Sequence, residues 1–211
     1  MNNGKRSYHK TEGNKFQGEI MVVLALYGDG KGKTSSSIGQ CVRALGHDSN
    51  SVLIIQFNKN DKSIGEFKFF FNKHPMINCR LVQYGVGCTH YKLKAQKRCM
   101  ECGECSKNER LNRTKVEWAI QHIKRDKNKY GVILLDEVLV SLSLGYISIE
   151  EIMDLMGEPN GKTWILTGRV WGEKADEILA WLGDFADYIT HVEMIKHPFN
   201  KGVVARKGVE Y

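Results

Sequence analysis

Gly18-Glu19-Ile20-Met21-Val22-Val23-Leu24-Ala25-Leu26 runs directly into Tyr27-Gly28-Asp29-Gly30-Lys31-Gly32-Lys33-Thr34. The first half is a short apolar run that ends in a glycine-rich turn, the pattern of a buried strand feeding a loop. Thr34–Leu45 follows with helical composition, and Gly46 is its stop. Strand, glycine loop and helix in this order make a cradle for phosphate. Glycines let backbone N–H groups converge on phosphate oxygens without side-chain clashes. The helix start aims its positive dipole end at the same anion. Within the cradle, Lys33 supplies a point charge and Thr34 a hydroxyl for Mg²⁺. Gly28, Asp29, Gly30, Lys31, Gly32, Lys33, Thr34 and Ser35 are therefore the candidate ATP-binding run. The usual form of this loop has a glycine five residues before Gly32, where this chain has Tyr27. A plain glycine-rich turn is the simpler alternative, and the strand before the loop and helix after it argue against that.

Outward from the loop, apolar runs and helical stretches alternate. Ser51–Phe57 reads as a second buried strand and Cys79–Tyr84 as a weaker third. Leu111–Lys124 is an amphipathic helix with Val116, Ile120 and Ile123 on one face. Gly131–Leu135 is a strand that runs into Asp136 and Glu137. Ser148-Ile149-Glu150-Glu151 is a capping box opening a helix through Met156. Thr163–Thr167 is a strand, Glu173–Leu182 a helix and Tyr188–Met194 a last strand. Alternation of this kind implies an α/β fold, a mainly parallel sheet covered by helices on both faces, of the P-loop NTPase (RecA-like) type. Ligands of such sheets sit beyond the carboxyl ends of the strands. The expected organisation is a flexible tail at 1–17 and a single domain at 18–211, with a Cys-rich inserted loop at 85–110 that lacks periodicity. The bulk packing reading applies to Trp118, Trp164 and Trp181, and to Trp171 unless it reaches the site beside Arg169. Cys41 and Cys79 sit in apolar settings and read as core.

Asp136 and Glu137 close a buried strand, where a hard Mg²⁺ wants a carboxylate shared with substrate phosphates. Thr34, Asp136 and Glu137 are the candidate magnesium ligands, and the residues alone leave open which acid touches the ion. The net charge of +7, from 31 basic and 24 acidic residues, suits an anionic partner. No apolar run approaches the roughly 18 residues that span a bilayer, and Met1–Lys15 has no signal-peptide core, so a cytoplasmic location is expected. In that compartment the six cysteines are thiols or metal ligands rather than disulfides. Cys99, Cys102 and Cys105 form C-x₂-C-x₂-C, with Cys88 eleven residues upstream of Cys99. Such spacing presents four thiolates to one Zn²⁺ or one [4Fe–4S] cluster; a loop of unpaired thiols is the plainer alternative.

Taken together, the ordered motifs resemble the P-loop-type corrinoid (cobalamin) adenosyltransferases. The resemblance rests on the loop Gly28–Thr34, Gln56-Phe57, Leu135-Asp136-Glu137, Thr167-Gly168-Arg169, and the closing stretches Lys196–Val203 and Lys207–Tyr211. It implies transfer of the 5′-deoxyadenosyl group of ATP to a Co(I) corrinoid, with triphosphate leaving. Because cobalt is the nucleophile, the residues position and stabilise charge. Lys33, Thr34 and Glu137 are then the catalytic candidates, and Arg43, Gln56 and Arg169 join the ATP-binding set. A homodimer and a flavoprotein reductase as electron donor are also implied. Family members often carry aromatic residues where this chain has Val86 and Cys88, so Tyr84 and Tyr91 are candidate substitutes. Two other readings remain at this point. One is another P-loop NTPase or kinase with the cysteine insert as a regulatory module, which would yield ADP and phosphate. The other is a nucleic-acid-binding ATPase, suggested by the pI of about 9.0 and expected to lose affinity steeply with salt. Scattered basic residues without interleaved aromatics speak against nucleic acid.

Overall fold

The computed structural model describes residues 20–47, 51–73, 78–87, 108–158, 161–198, 202 and 206–209. The tail at 1–17 and the stretch 88–107, with Cys88, Tyr91, Cys99, Cys102 and Cys105, lie outside the described residues. The chain forms β1 (Val22–Tyr27), α1 (Lys33–Leu45) and β2 (Val52–Phe57). Next come α2 (Gly65–Lys68), running into a π-helical turn at Phe69–Lys73, and β3 (Cys79–Tyr84). Then follow α3 (Glu109–Asp126), a 3₁₀ turn at Lys127–Lys129, β4 (Val132–Asp136) and α4 (Val138–Ser143). The order ends with α5 (Ile149–Met156), β5 (Thr163–Gly168), α6 (Ala175–Phe185) and β6 (Tyr188–His191). The sheet runs β3-β2-β4-β5-β1-β6, and every neighbouring pair is parallel.

The strand sequences explain why both faces are covered. Side chains alternate across a strand, and in β2 both sets are apolar. Leu53, Ile55 and Phe57 join one core with Val116, Ala119 and Ile123 of α3 and residues of α4, α5 and α6. Val52 and Ile54 join the opposite core with Leu134, Cys41 of α1 and Phe70. Burial pushes the Cys41 and Cys79 thiols up to about 12, so both behave as small apolar groups. Among the described residues no helix is long and apolar enough to cross a membrane.

Three departures from the sequence reading have physical causes. Trp118 is not core: it is half exposed, with the Lys115 ammonium 4.3 Å over its ring. It lies two residues from Val116, about 200° around the helix, and so faces away from the sheet. Val138–Ser143 is a helix that the sequence reading did not assign: at six residues it is too short to show a helical period. β4 ends at Asp136, and Glu137, with a left-handed φ of 64°, turns the chain. The last strand stops at His191, short of Met194.

The capping box is formed as read. The Glu151 N–H donates to Ser148 Oγ at 3.2 Å, and the Ser148 N–H donates to Glu151 Oε2 at 2.8 Å. Ser148→Ala should cost about 1 kcal/mol. In a thermal melt that is a Tm lower by about 2–4 °C.

Candidate functional site

All six strands are parallel, so their C-terminal ends open on one edge of the sheet. That edge gathers the loop after β1, Lys59 after β2, Glu137 after β4 and Arg169 after β5, around a cleft of about 910 Å³. The start of α1 faces it. Gly32 is the N-cap with no side-chain cap, and the Ser36 N–H makes the first helical bond, to Gly32 O at 2.7 Å. The preceding amides, Gly32 to Ser35, therefore have no carbonyl in their own helix to bond. An anion-binding pole is the chemical result.

The loop is held from below by the chain that leaves β6. The Gly30 N–H donates to Val192 O at 2.7 Å, and the Val192 N–H donates to Tyr27 O at 2.8 Å. Tyr27 stacks on His191 with ring centroids 4.8 Å apart. Gly28 has φ 114°, and a Cβ there would lie 2.5 Å from Val192 O and 2.7 Å from His191 Cδ2. Gly28→Ala should therefore push the loop off β6. We expect a loss of about 2 kcal/mol in denaturant melts together with weaker ATP binding by calorimetry; unchanged values for both would contradict this packing.

Lys33 is nearly buried, 8% exposed, and Nζ donates to Gly30 O at 2.7 Å. Burial lowers its pKa, against the opposing pull of the Glu137 charge. Thr34 and Asp136 meet directly, Thr34 Oγ1 donating to Asp136 Oδ1 at 2.9 Å. Asp136 is fully buried and accepts from three more donors: Thr167 Oγ1 at 2.7 Å, Gln56 Nε2 at 3.0 Å and Lys59 Nζ at 2.6 Å. Gln56 Oε1 accepts in turn from Gln83 Nε2 at 2.9 Å. Glu137 lines the cleft beside this network, its N–H donating to Thr167 Oγ1 at 3.0 Å. Burial, and then the neighbouring Asp136 charge, pushes the Glu137 carboxyl up, while Lys59, Lys33 and Arg169 pull it down.

The two acids thus differ. Asp136 sits inside the strand-end network against Thr34, and Glu137 faces the open space. At the rim, Arg169 Nε lies 3.7 Å from Asp29 Oδ1, with both side chains exposed. Lys31 Nζ donates to Val209 O at 2.6 Å, tying the closing stretch to the loop. Trp171, Met194 and His197 also line the cleft. Ser35 lies on its wall. Arg43 does not: it sits exposed in the last turn of α1, at the far end from the cradle. Gln56 is fully buried and reaches the site through others: its Nε2 donates to Asp136 Oδ2 at 3.0 Å and to Glu66 Oε1, on the cleft wall, at 3.4 Å. Tyr84 is tied elsewhere, its hydroxyl 2.7 Å from His122 Nδ1. Lys59 was not singled out in the sequence. The signal that could have found it is its place two residues beyond Phe57, at the C-terminal end of a parallel strand. Among the described residues no three of His, Cys, Asp and Glu gather as a metal site.

Residues 19–211 match the ATP:corrinoid adenosyltransferase BtuR/CobO/CobP family. The chain is 30% identical over 191 residues to a corrinoid adenosyltransferase of Pseudomonas aeruginosa, covering 90% of this chain and 83% of the relative. A corrinoid adenosyltransferase of Escherichia coli K12 is 28% identical over 198 residues, 92% of this chain and 88% of the relative. Corrinoid adenosyltransferase CobA of Salmonella typhimurium is 29% identical over 198 residues, with the same coverage of each. The family match runs through the glycine loop Gly28–Thr34, the Asp136–Glu137 strand end and the closing stretch that lines the cleft, and by that match the chain belongs to the ATP:corrinoid adenosyltransferase family.

Proposed function

We propose that this chain is a transferase that moves the 5′-deoxyadenosyl group of ATP onto the Co(I) of a reduced corrinoid and releases triphosphate. The observation that carries the reading is the uncapped start of α1, with Lys33 beside it, opening into a cleft bounded by Asp136 and Glu137 in a chain of this family. In the reaction a Co–C bond forms at the 5′ carbon, the C5′–O bond breaks, and its electron pair leaves with the triphosphate. Negative charge then grows on the leaving oxygen. The first-turn amides of α1 and Lys33 lie where that charge would be bound, and Arg169 stands at the rim. Trp171, Met194 and Val209 give the cleft an apolar border for a ring system.

Thr34 Oγ1 and Asp136 Oδ1 are hard oxygen donors 2.9 Å apart, and the Lys59 ammonium already contacts Thr34 Oγ1 and Asp136 Oδ2. That donor set around a positive charge fits Mg²⁺, which Thr34, Asp136 and Glu137 would hold. When bound there, the ion would neutralise charge on the triphosphate.

Cys88, Cys99, Cys102 and Cys105 are a second metal proposal, for Zn²⁺ or [4Fe–4S], on sequence spacing alone. Metal analysis of anaerobically purified protein should find about one Zn²⁺ or one cluster per chain; neither Zn nor Fe would remove it. A reductase, flavoprotein in the simplest case, must supply the Co(I) state, and a cytoplasmic homodimer is the assembly the reading carries.

The test is anaerobic: protein, Mg·ATP and chemically reduced cob(I)alamin, followed by visible spectroscopy and assay of the released phosphate species. An adenosylcobalamin spectrum with stoichiometric triphosphate supports the reading. Release of ADP and orthophosphate instead would assign an NTPase or kinase reaction and overturn it.

A further inference from the structure

Lys59 is the one basic side chain in contact with both Thr34 and Asp136 among the described residues, its Nζ 3.0 Å from Thr34 Oγ1 and 2.6 Å from Asp136 Oδ2. Asp136 has no solvent exposure, while the Lys59 side chain keeps 27% of its own. A buried carboxylate needs a positive partner, because leaving it alone costs its full desolvation. Two cations on one carboxylate repel strongly at the low effective dielectric of such a site. The pair Thr34 and Asp136 therefore has room for one positive charge at a time.

The backbone under Lys59 is tightly packed, while its side chain is partly exposed. Asn58 stands at a left-handed φ of 56°, with Nδ2 donating to Ser141 Oγ at 3.0 Å and its N–H donating to Tyr84 O at 3.2 Å. Gly85 presses on the other side: a Cβ on it would lie 2.5 Å from the Lys59 carbonyl carbon and 2.7 Å from its nitrogen. With the main chain clamped between β3 and α4, the flexible four-carbon stem is the part left free to turn, and Lys59 lines the open cleft.

We propose that Lys59 is a resident counter-ion: it holds Thr34 and Asp136 together in the nucleotide-free enzyme and swings away when the divalent cation arrives with ATP. This rests on the Mg²⁺ placement proposed above. Lys59 keeps the buried acid compensated before substrate binds. It also makes the free enzyme a poor site for a bare divalent ion, which has to evict an ammonium with no triphosphate present to receive it. Metal entry is thereby coupled to nucleotide entry.

The test uses Mn²⁺ on the full chain, with binding read by electron paramagnetic resonance and stability by thermal melts. Without nucleotide, Lys59→Met should bind Mn²⁺ at least about tenfold more tightly than the unmodified protein. Its Tm should rise by about 5 °C or more at saturating Mn²⁺, while that of the unmodified protein stays put. The double variant Lys59→Met with Asp136→Asn removes both charges and should lose the Mn²⁺ response. Lys59→Arg keeps the charge, and so the fold, and should bind free Mn²⁺ as weakly as the unmodified protein. Equal affinity of Lys59→Met and the unmodified protein for free Mn²⁺ overturns the proposal. So does tight free Mn²⁺ binding by Lys59→Arg, which carries the decision if Lys59→Met fails to fold. Mn·ATP binding separates the two levels. If Asp136→Asn alone binds Mn·ATP as well as the unmodified protein, the metal placement itself fails. If it binds Mn·ATP more weakly but Lys59→Met gains no free Mn²⁺ affinity, only the role of Lys59 fails.

Discussion

Lys33→Met is expected to lower kcat/KM for adenosyl transfer by about 10²–10³-fold, the usual loss when one preorganised group facing a developing anion is removed. The expectation follows from where the charge sits. Lys33 is 8% exposed, at the first turn of α1, and among the described residues no carboxylate forms an ion pair with it; its Nζ donates to a neutral carbonyl, Gly30 O, at 2.7 Å. Burial disfavours the ammonium, and lowers its pKa, which is the arrangement of a cation kept for an incoming anion. Methionine retains the apolar stem and removes the charge. The fold then loses one charge-to-carbonyl bond and sheds the desolvation of an ammonium, so the Tm should stay within about 4 °C. Steady-state formation of adenosylcobalamin and a thermal melt measure the two quantities. A loss of activity under about tenfold, or a drop in Tm that accounts for it, would show that Lys33 serves the loop and not the triphosphate.

Asp136→Ala is expected to be costly in both respects. It deletes the acceptor shared by Thr34, Thr167, Gln56 and Lys59. Asp136 and Gln56 are fully buried, so water cannot simply replace the lost oxygens. Breaking a buried charged pair by removing one partner costs about 3–5 kcal/mol. For a chain of this size that lowers Tm by roughly 6–20 °C. The same change removes the carboxylate proposed to hold Mg²⁺, so Mg·ATP affinity should fall as well. Calorimetry on whatever folded protein remains at low temperature checks the second effect. A variant with the Tm of the unmodified chain would mean that the four donors find other partners, and that Asp136 does not organise this edge.

The positions of these two residues were legible to different degrees. The place of Lys33 and Thr34 at the start of α1 could be read from order alone, because the strand, the glycines and the helix are contiguous. Asp136 and Glu137 could be placed together at a strand end, but not told apart. Adjacent residues of a strand point to opposite sides, and which side faces Thr34 depends on how β4 lies relative to β1, two strands away across β5. The structure separates them: Asp136 meets Thr34 and Glu137 turns out at φ 64° into the cleft. Arg43 shows the limit of arguing from an element: being on the same helix as the cradle puts it three turns away along α1, at the end opposite the phosphate pole.

By itself, the sequence determined the α/β class, the apolar strands buried on both faces, the strand–glycine loop–helix order at Val22–Leu45 and the Ser148 capping box. Each depends on periodicity or on spacings of a few residues, which local backbone geometry translates directly. Only the tertiary structure decided the strand order, the half-exposed face of Trp118, the turn of α4, and the meeting of Lys59 with Thr34 and Asp136. Those depend on parallel crossovers that bring residues 25 and 77 positions apart onto one ammonium. No local pattern records such a contact, because the packing of both sheet faces, and not the chain between them, chooses which strand ends become neighbours.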